Sequence, residues 1–346
     1  MKMTDRQKPN RYGREVQSDD LTPLTAFLPG IVGAMKLAPA PKAFTVQGKH
    51  HHTTAKQIND LLEVREGSPE MGFMTRIMTL CSLPRTDPGN RLQYKRETGP
   101  FKLIMIAGGD NKLPFGNLPR LLLAWVCTEV VQTKNRELQL GHSLAGFMRQ
   151  LGMQSDSGGS RADRTRLRNQ IDRLFNAHVQ LIYEAPGHKS TISSTVADRT
   201  DLWWDYKAPT QDTLWQSSIR LGEALFDEIL KHPVPIDMRI LKTMRRSSLG
   251  LDLYLWLSYK TFVLYSQKKR PERLSWHLLY RQFGSDPAKA GDKGTVDNFR
   301  TDALRELRKL KLCWPGLDYA TPKGFLEVRA CMPSIPPQIL PPKARG

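Results

Sequence analysis

Two short runs, 132 residues apart, do most to limit what this chain can fold into. RQLG occupies residues 149–152 and is followed at Leu167 by an Arg-rich amphipathic stretch. RQFG occupies residues 281–284 and is followed at Phe299, again 132 residues on, by a second such stretch. Each copy reads as a helix, a Gly-bearing turn and a second, basic helix. That is the layout of a helix-turn-helix, whose second helix enters the DNA major groove. The expected fold class is α+β, mainly helical, with two tandem winged helix-turn-helix domains in pseudo-repeat.

The charge points the same way. Of 346 residues, 52 are Lys or Arg and 34 are Asp or Glu, a formal net charge of +18. A chain this basic is expected to meet polyanions, most simply nucleic acid. A hydrophobic content of 39% supports ordinary cores. Cys81, Cys127, Cys313 and Cys331 form no CxxC pair, which argues against a disulfide framework or a zinc site; Cys127, in LLLAWVC, reads as core. No apolar run reaches the ~18 residues a membrane span needs, and MKMTDRQKPNRYGREV lacks a signal-peptide core. An intracellular protein is expected, with neither metal nor cofactor.

The chain divides into four parts. Residues 1–55 read as a disordered basic tail that includes His50, His51 and His52, a run without carboxylate or Cys partners. Residues 56–210 and 211–332 read as the two domains, and 333–346 as a Pro-rich tail. Within the first domain, helices are expected at 55–65 and, less cleanly, 71–81, then a strand at 101–107 and a buried helix at 118–132 with Pro119 in its first turn. A strand at 137–141 precedes a helix at 144–151, capped by Ser143 and ended by Gly152. A flexible loop at 155–160 leads to a helix over 161–176 and a hairpin of 178–183 and 191–196. The second domain reads as a strand at 214–221, a helix at 223–230, an apolar helix from 249 to 264, a second helix pair at 275–283 and 295–310, and a second hairpin of 312–319 and 324–329.

The two basic helices carry the candidate interface. At 100° per residue, Leu167, Ile171, Leu174 and Phe175 share one face of the first, and Val296, Phe299, Ala303, Leu307 and Leu310 one face of the second. Opposite them lie Thr165, Arg166, Asn169, Arg173 and Asn176 in the first helix and Asn298, Thr301, Arg305 and Arg308 in the second. The 132-residue offset maps Arg166 to Asn298, Asn169 to Thr301 and Arg173 to Arg305. Arg gives two hydrogen bonds to guanine and Asn two to adenine. Arg161, Arg164, Arg168 and Arg300, nearer the flanks, suit phosphates. The first helix carries five arginines against two aspartates and is slightly the more basic. Lys189 and Lys323 sit in the hairpin turns.

No motif for nucleotide hydrolysis, zinc proteolysis or serine hydrolysis occurs, so no enzyme is expected. Two alternatives stand beside a non-catalytic DNA-binding initiator. One is a transcriptional repressor of the same fold; the other is a nicking endonuclease with a Tyr nucleophile, for which Tyr254 and Tyr259 are the nearest candidates.

Four runs stand out: GFMTRIMTLCSLPRTDP (72–88), PFGNLPRLLLAWVCTE (114–129), LAGFMRQLGM (144–153) and GSRADRTRLRNQIDRLF (159–175). Together they resemble the plasmid-encoded RepA replication initiators of theta-replicating bacterial plasmids. The resemblance covers roughly residues 70–330. It implies two winged-helix domains that bind direct repeats, or iterons, in double-stranded origin DNA as a monomer and help to open an adjacent AT-rich region. It also implies recruitment of the host initiator and replicative helicase, a homodimer that represses its own promoter, and a place in the bacterial cytoplasm. In such proteins the C-terminal module is the main iteron reader, which fits Asn298, Thr301, Arg305 and Arg308.

Overall fold

Two helices that lack a polar face organise the molecule. They are Leu118–Thr133 (α3) and Ser248–Ser266 (α8), with twelve and fourteen buried residues. A helix apolar on all sides must be enclosed by the rest of the chain. The computed structural model describes residues 55–153, 160–204, 208 and 210–336, with backbone alone for 55, 56 and 160–162. The basic tail, the His50–His52 run, most of the 155–160 loop and the end of the Pro-rich tail lie outside them.

An antiparallel ribbon joins the halves. Met71–Thr75 (β1) pairs with Pro233–Asp237 (β9), Met71 facing Asp237 and Thr75 facing Pro233. The helix α3 packs on β1, and α8 packs on β9. The reading of 71–81 as one helix is therefore corrected: β1 comes first and only Arg76–Leu80 (α2) is helical. Two interactions hold this backbone extended: the ladder to β9, and the Thr128 hydroxyl, which accepts from Phe73 N at 2.9 Å. Asp237 starts the next helix, Met238–Thr243 (α7), by accepting from Arg239 N at 3.0 Å.

Behind the ribbon lies a buried ion pair between the two central helices. Arg120 of α3 donates from Nε to Asp252 Oδ1 at 2.6 Å and from Nη2 to Asp252 Oδ2 at 2.8 Å. Both side chains are at most 4% exposed. The remaining guanidinium hydrogens go to the carbonyls of Leu83 (2.7 Å), Pro84 (3.1 Å) and Gly116 (2.5 Å). Positions 120 and 252 are themselves 132 residues apart.

The first half adds Gln93–Thr98 (β2), Phe101–Ile106 (β3), Glu137–Gly141 (β4), Leu144–Gln150 (α4), Ser160–Phe175 (α5), His178–Ala185 (β5), His188–Thr195 (β6), Ala197–Asp201 (β7), Ser217–Leu221 (β8) and Glu223–Lys231 (α6). The second half adds Glu272–Ser275 (β10), Trp276–Phe283 (α9), Lys293–Cys313 (α10), Tyr319–Ala320 (β11) and Phe325–Val328 (β12). Ala55–Glu66 (α1) packs on α7 and α10. Elements β8 and α6, which follow residue 210, pack on β4, β7, β6 and α3, which precede it. One continuous cluster of buried side chains runs from Leu61 to Cys331.

The sheets separate the two look-alike segments. In the second, the strand before the helix pair joins the hairpin after it, in the order β10-β12-β11. In the first, the hairpin β5–β6 continues a sheet of order β2-β3-β5-β6, while β4 pairs with β8 in a sheet of order β4-β8-β7. The expected first hairpin exists, but its partner is β3, not β4. The second is shorter than expected, because α10 runs on to Cys313 and only Tyr319 and Ala320 remain for β11.

All four cysteines are buried and free. Burial pushes the thiols of Cys81, Cys127 and Cys313 up to about 12, which suits packing rather than reactivity. Among the described residues, no helix is long and apolar enough to cross a membrane.

Asp252→Ala is expected to leave the Arg120 guanidinium buried without its counter-ion. Loss of one partner from such a pair costs about 3–5 kcal/mol. Urea denaturation should show a lower midpoint with an unchanged slope; a change below about 1 kcal/mol would mean that the pair is not a main tie between the halves.

Candidate nucleic-acid interface

In the second segment, Ser275 opens α9 by accepting from Leu278 N at 3.2 Å. Leu279, Tyr280 and Phe283 bury one face of α9. A 3-10 turn, Pro287–Gly291, leads to α10. Asp292 caps α10, accepting from Thr295 N at 2.8 Å and from the Thr295 hydroxyl. These bonds hold the Asp292 carboxyl below the ordinary Asp range. Phe299, Ala303, Leu307 and Leu310 form the buried face as expected, with Val296 half-buried at its start. Tyr280 meets Phe299 edge-on, with ring centroids 5.4 Å apart.

The outer face of α10 exposes Asn298, Arg300, Thr301 and Arg308. Thr301 returns its hydroxyl to Asp297 O at 3.1 Å. Arg305 is not outward as the helical wheel implied. It is 26% exposed and lies 2.9 Å from Asp302 and 3.4 Å from Glu306. Glu306, itself buried, also holds Lys309 at 3.1 Å.

The first segment is built alike. Gly152 closes α4 with φ +72°, a left-handed turn that a Cβ would strain. Ser143 stands at the N-cap of α4, but its side chain makes no capping bond. Leu167, Ile171, Leu174 and Phe175 are buried as expected. Thr165, Arg166, Arg168 and Asn169 are exposed, with Arg166 3.5 Å from Asp163 and Arg168 4.0 Å from Asp172. Arg164 is half-buried, and the side chain of Arg161 lies outside the description.

Arg173 departs from its expected outward position. Its side chain is 11% exposed and lies over the Phe115 ring at 5.3 Å and 3.9 Å from Asp110. The loop before α3 covers this end of α5, and Gln170 fastens it by accepting from Phe115 N at 2.9 Å. Sequence spacing gives no sign that this loop returns there.

The glycines of the two runs serve different ends. Gly284 is extended (φ −63°), but a Cβ there would come within 2.5 Å of the Tyr280 carbonyl. It is needed for close approach rather than for turn handedness. Both hairpin tips present a lysine: Lys189 is 60% exposed and Lys323 is exposed. Tyr254 and Tyr259, weighed as nucleophiles, are buried; burial, aided by Asp237, raises the Tyr254 hydroxyl well above its usual range. Among the described residues, no three His, Cys, Asp or Glu are grouped to hold a metal.

Residues 113–278 match the family described as "Plasmid encoded RepA protein". The span runs from the loop before α3 into the first turn of α9, so it contains α5 but not α10. Three of the four resembling runs fall inside it; the run at 72–88 lies outside. Two crystal structures of domains 2 and 3 of RctB are similar to this chain. The selenomethionine form is 17% identical, with 74% of this chain and 96% of that one covered and a TM-score of 0.46. A second, of RctB residues 155–483, is 15% identical, with 73% and 96% covered and a TM-score of 0.44. No curated protein sequence matches the chain.

The lowered Asp292 carboxyl sets a pH dependence for the start of α10. A depressed native value means the cap stabilises fully above the unfolded Asp value, about 4. The stabilisation is lost as pH falls through the native value. The Thr295 amide resonance should follow this titration, and Asp292→Ala should abolish it. A Thr295 shift that titrates at the unperturbed Asp value would show that the cap does not form.

Proposed function

We propose that the protein is a plasmid replication initiator that binds double-stranded origin DNA through two winged helix-turn-helix modules, with α5 and α10 as recognition helices. The observation that carries this reading is the outer face of α10: Asn298, Arg300 and Arg308 are exposed, and among the described residues no side-chain hydrogen bond or ion pair holds them. The family match over residues 113–278 supports initiation as the role. On α5, Arg166 and Asn169 are the candidate base readers, and Arg164, Thr165 and Arg168 the backbone contacts. Arg161 belongs with them by position alone.

In this reading the targets are iterons. Copies bound along them strain the duplex and favour opening where AT steps are weak. The protein does no catalysis of its own, recruits the host initiator and replicative helicase, and represses its own promoter as a homodimer in a bacterial cytoplasm. Arg173 and Arg305 are left out as base readers, because neighbouring side chains already hold them. The test is a footprint on the DNA flanking its gene, with permanganate to reveal unpaired thymines. Protection of tandem direct repeats beside reactive thymines is expected. Protection of a single inverted repeat, with no reactive thymine, would replace initiation with repression.

Asn298→Ala and Arg308→Ala should each cost about 1–3 kcal/mol of discrimination, read as relaxed base preference in competition binding. Arg300→Ala should weaken binding to all sequences alike and flatten the salt slope by about 0.9. Arg173→Ala should lower stability and leave base preference intact. Unchanged selectivity in both α10 variants would remove α10 as a reader.

A further inference from the structure

An α-helix leaves its last carbonyls without donors of its own, and α9 finds them in the other half of the molecule. Tyr280 O takes Gly284 N at 2.6 Å. Every later carbonyl, through the turn glycine, is met by a residue at least 185 positions earlier. Arg281 O accepts from Arg96 Nη1 at 2.8 Å, and Gly284 O from Arg96 Nη2 at 2.9 Å. Gln282 O accepts from the Ser82 hydroxyl at 3.0 Å, and Phe283 O from Arg85 Nη1 at 3.3 Å. Gln282 answers by donating from Nε2 to Leu80 O at 2.8 Å.

The clasp is built rather than incidental. Arg96 is 1% exposed, and its Nε donates to the Tyr94 hydroxyl at 2.6 Å. That hydroxyl donates onward to Ser82 O at 3.0 Å. The negative end of the α9 dipole faces two guanidinium groups, the favourable polarity. Burial lowers the Arg85 pKa, with Asp252 opposing and Arg120 and Arg96 adding to the effect. Among the described residues, the matching end of α4 has no such clasp. Its carbonyls at Phe147, Met148 and Arg149 are closed by the backbone amides of Leu151, Met153 and Gly152.

We infer that Arg96, with Arg85 and Ser82, is a positioning residue that fixes the bearing of α10 relative to α5. The two recognition helices then form one rigid caliper, and the distance between the two DNA elements becomes part of what is recognised. This rests on the DNA-binding reading above. One inserted base pair moves an element by about 3.4 Å and about a tenth of a turn, more than a rigid reader can follow. The forked contact to two carbonyls needs a guanidinium, so Arg96→Lys keeps the charge and loses the clasp.

Two measurements on the full chain test this. Spin labels at Asp172→Cys on α5 and Asp297→Cys on α10 report the distance between the helices without DNA. A single narrow distribution is expected, broadened by Arg96→Lys and by the Ser82→Ala, Arg85→Lys pair. For the second, a DNA target is selected from a random pool, and one or two base pairs are inserted between the two protected elements. Wild-type affinity should fall at least about tenfold per inserted pair, a cost like that of a mismatch, and Arg96→Lys should lose most of that penalty. Unchanged narrow distances in both clasp variants overturn the clasp, as does an undiminished spacing penalty in Arg96→Lys. If the wild-type chain selects no sequence, the DNA-binding reading fails, and the distance measurement still judges the clasp. If Arg96→Lys does not fold, the Ser82→Ala, Arg85→Lys pair is judged by both measurements.

Discussion

The Arg120–Asp252 pair is the constraint around which the rest is arranged. A buried ion pair gives back its desolvation cost only with good geometry and with its remaining hydrogens satisfied. Here the fork is bidentate, and three carbonyls take the other guanidinium hydrogens. Those carbonyls belong to the 83–84 loop and to the turn before α3, so one side chain fixes two loops and two central helices. The β1–β9 ribbon and the side chains that hold the end of α9 lie on the same seam. The halves therefore meet through polar contacts of defined direction, set within a common apolar core.

The look-alike segments differ most in their surroundings. In the second, β10, β12 and β11 form a self-contained sheet beside the helix pair. In the first, β2 and β3 extend the hairpin sheet, and β8 takes β4 away from it. The helix pairs stay alike because a basic amphipathic helix needs only one apolar face and one companion helix. The strands diverge because an edge strand pairs with whatever extended backbone lies beside it.

The legible parts of the chain were those whose signal is local. The helix α3, the strand β4 and the helix α9 stand where periodicity and Pro119 put them, and the buried faces of α5 and α10 follow their 3.6-residue spacing. The ribbon was not legible: β1 and β9 are short, and each becomes extended only because its partner lies some 160 residues away. The wheel placed Arg173 and Arg305 opposite the apolar face, but it cannot say what stands across from them. A returning loop with Phe115 captures one, and the neighbouring Asp302 and buried Glu306 hold the other. The clasp at the end of α9 left no trace in spacing, since its acceptors are main-chain carbonyls and carry no residue type.

The ion pair has one more consequence. It joins positions that correspond under the 132-residue offset, and it does so with opposite charges. Two first halves docked the same way would set Arg against Arg, and two second halves Asp against Asp, with no water to screen them. The halves are thus not interchangeable, and the molecule has a head and a tail. Any duplex site gripped by both ends at once would be gripped in one orientation only, so molecules on directly repeated sites would all face the same way.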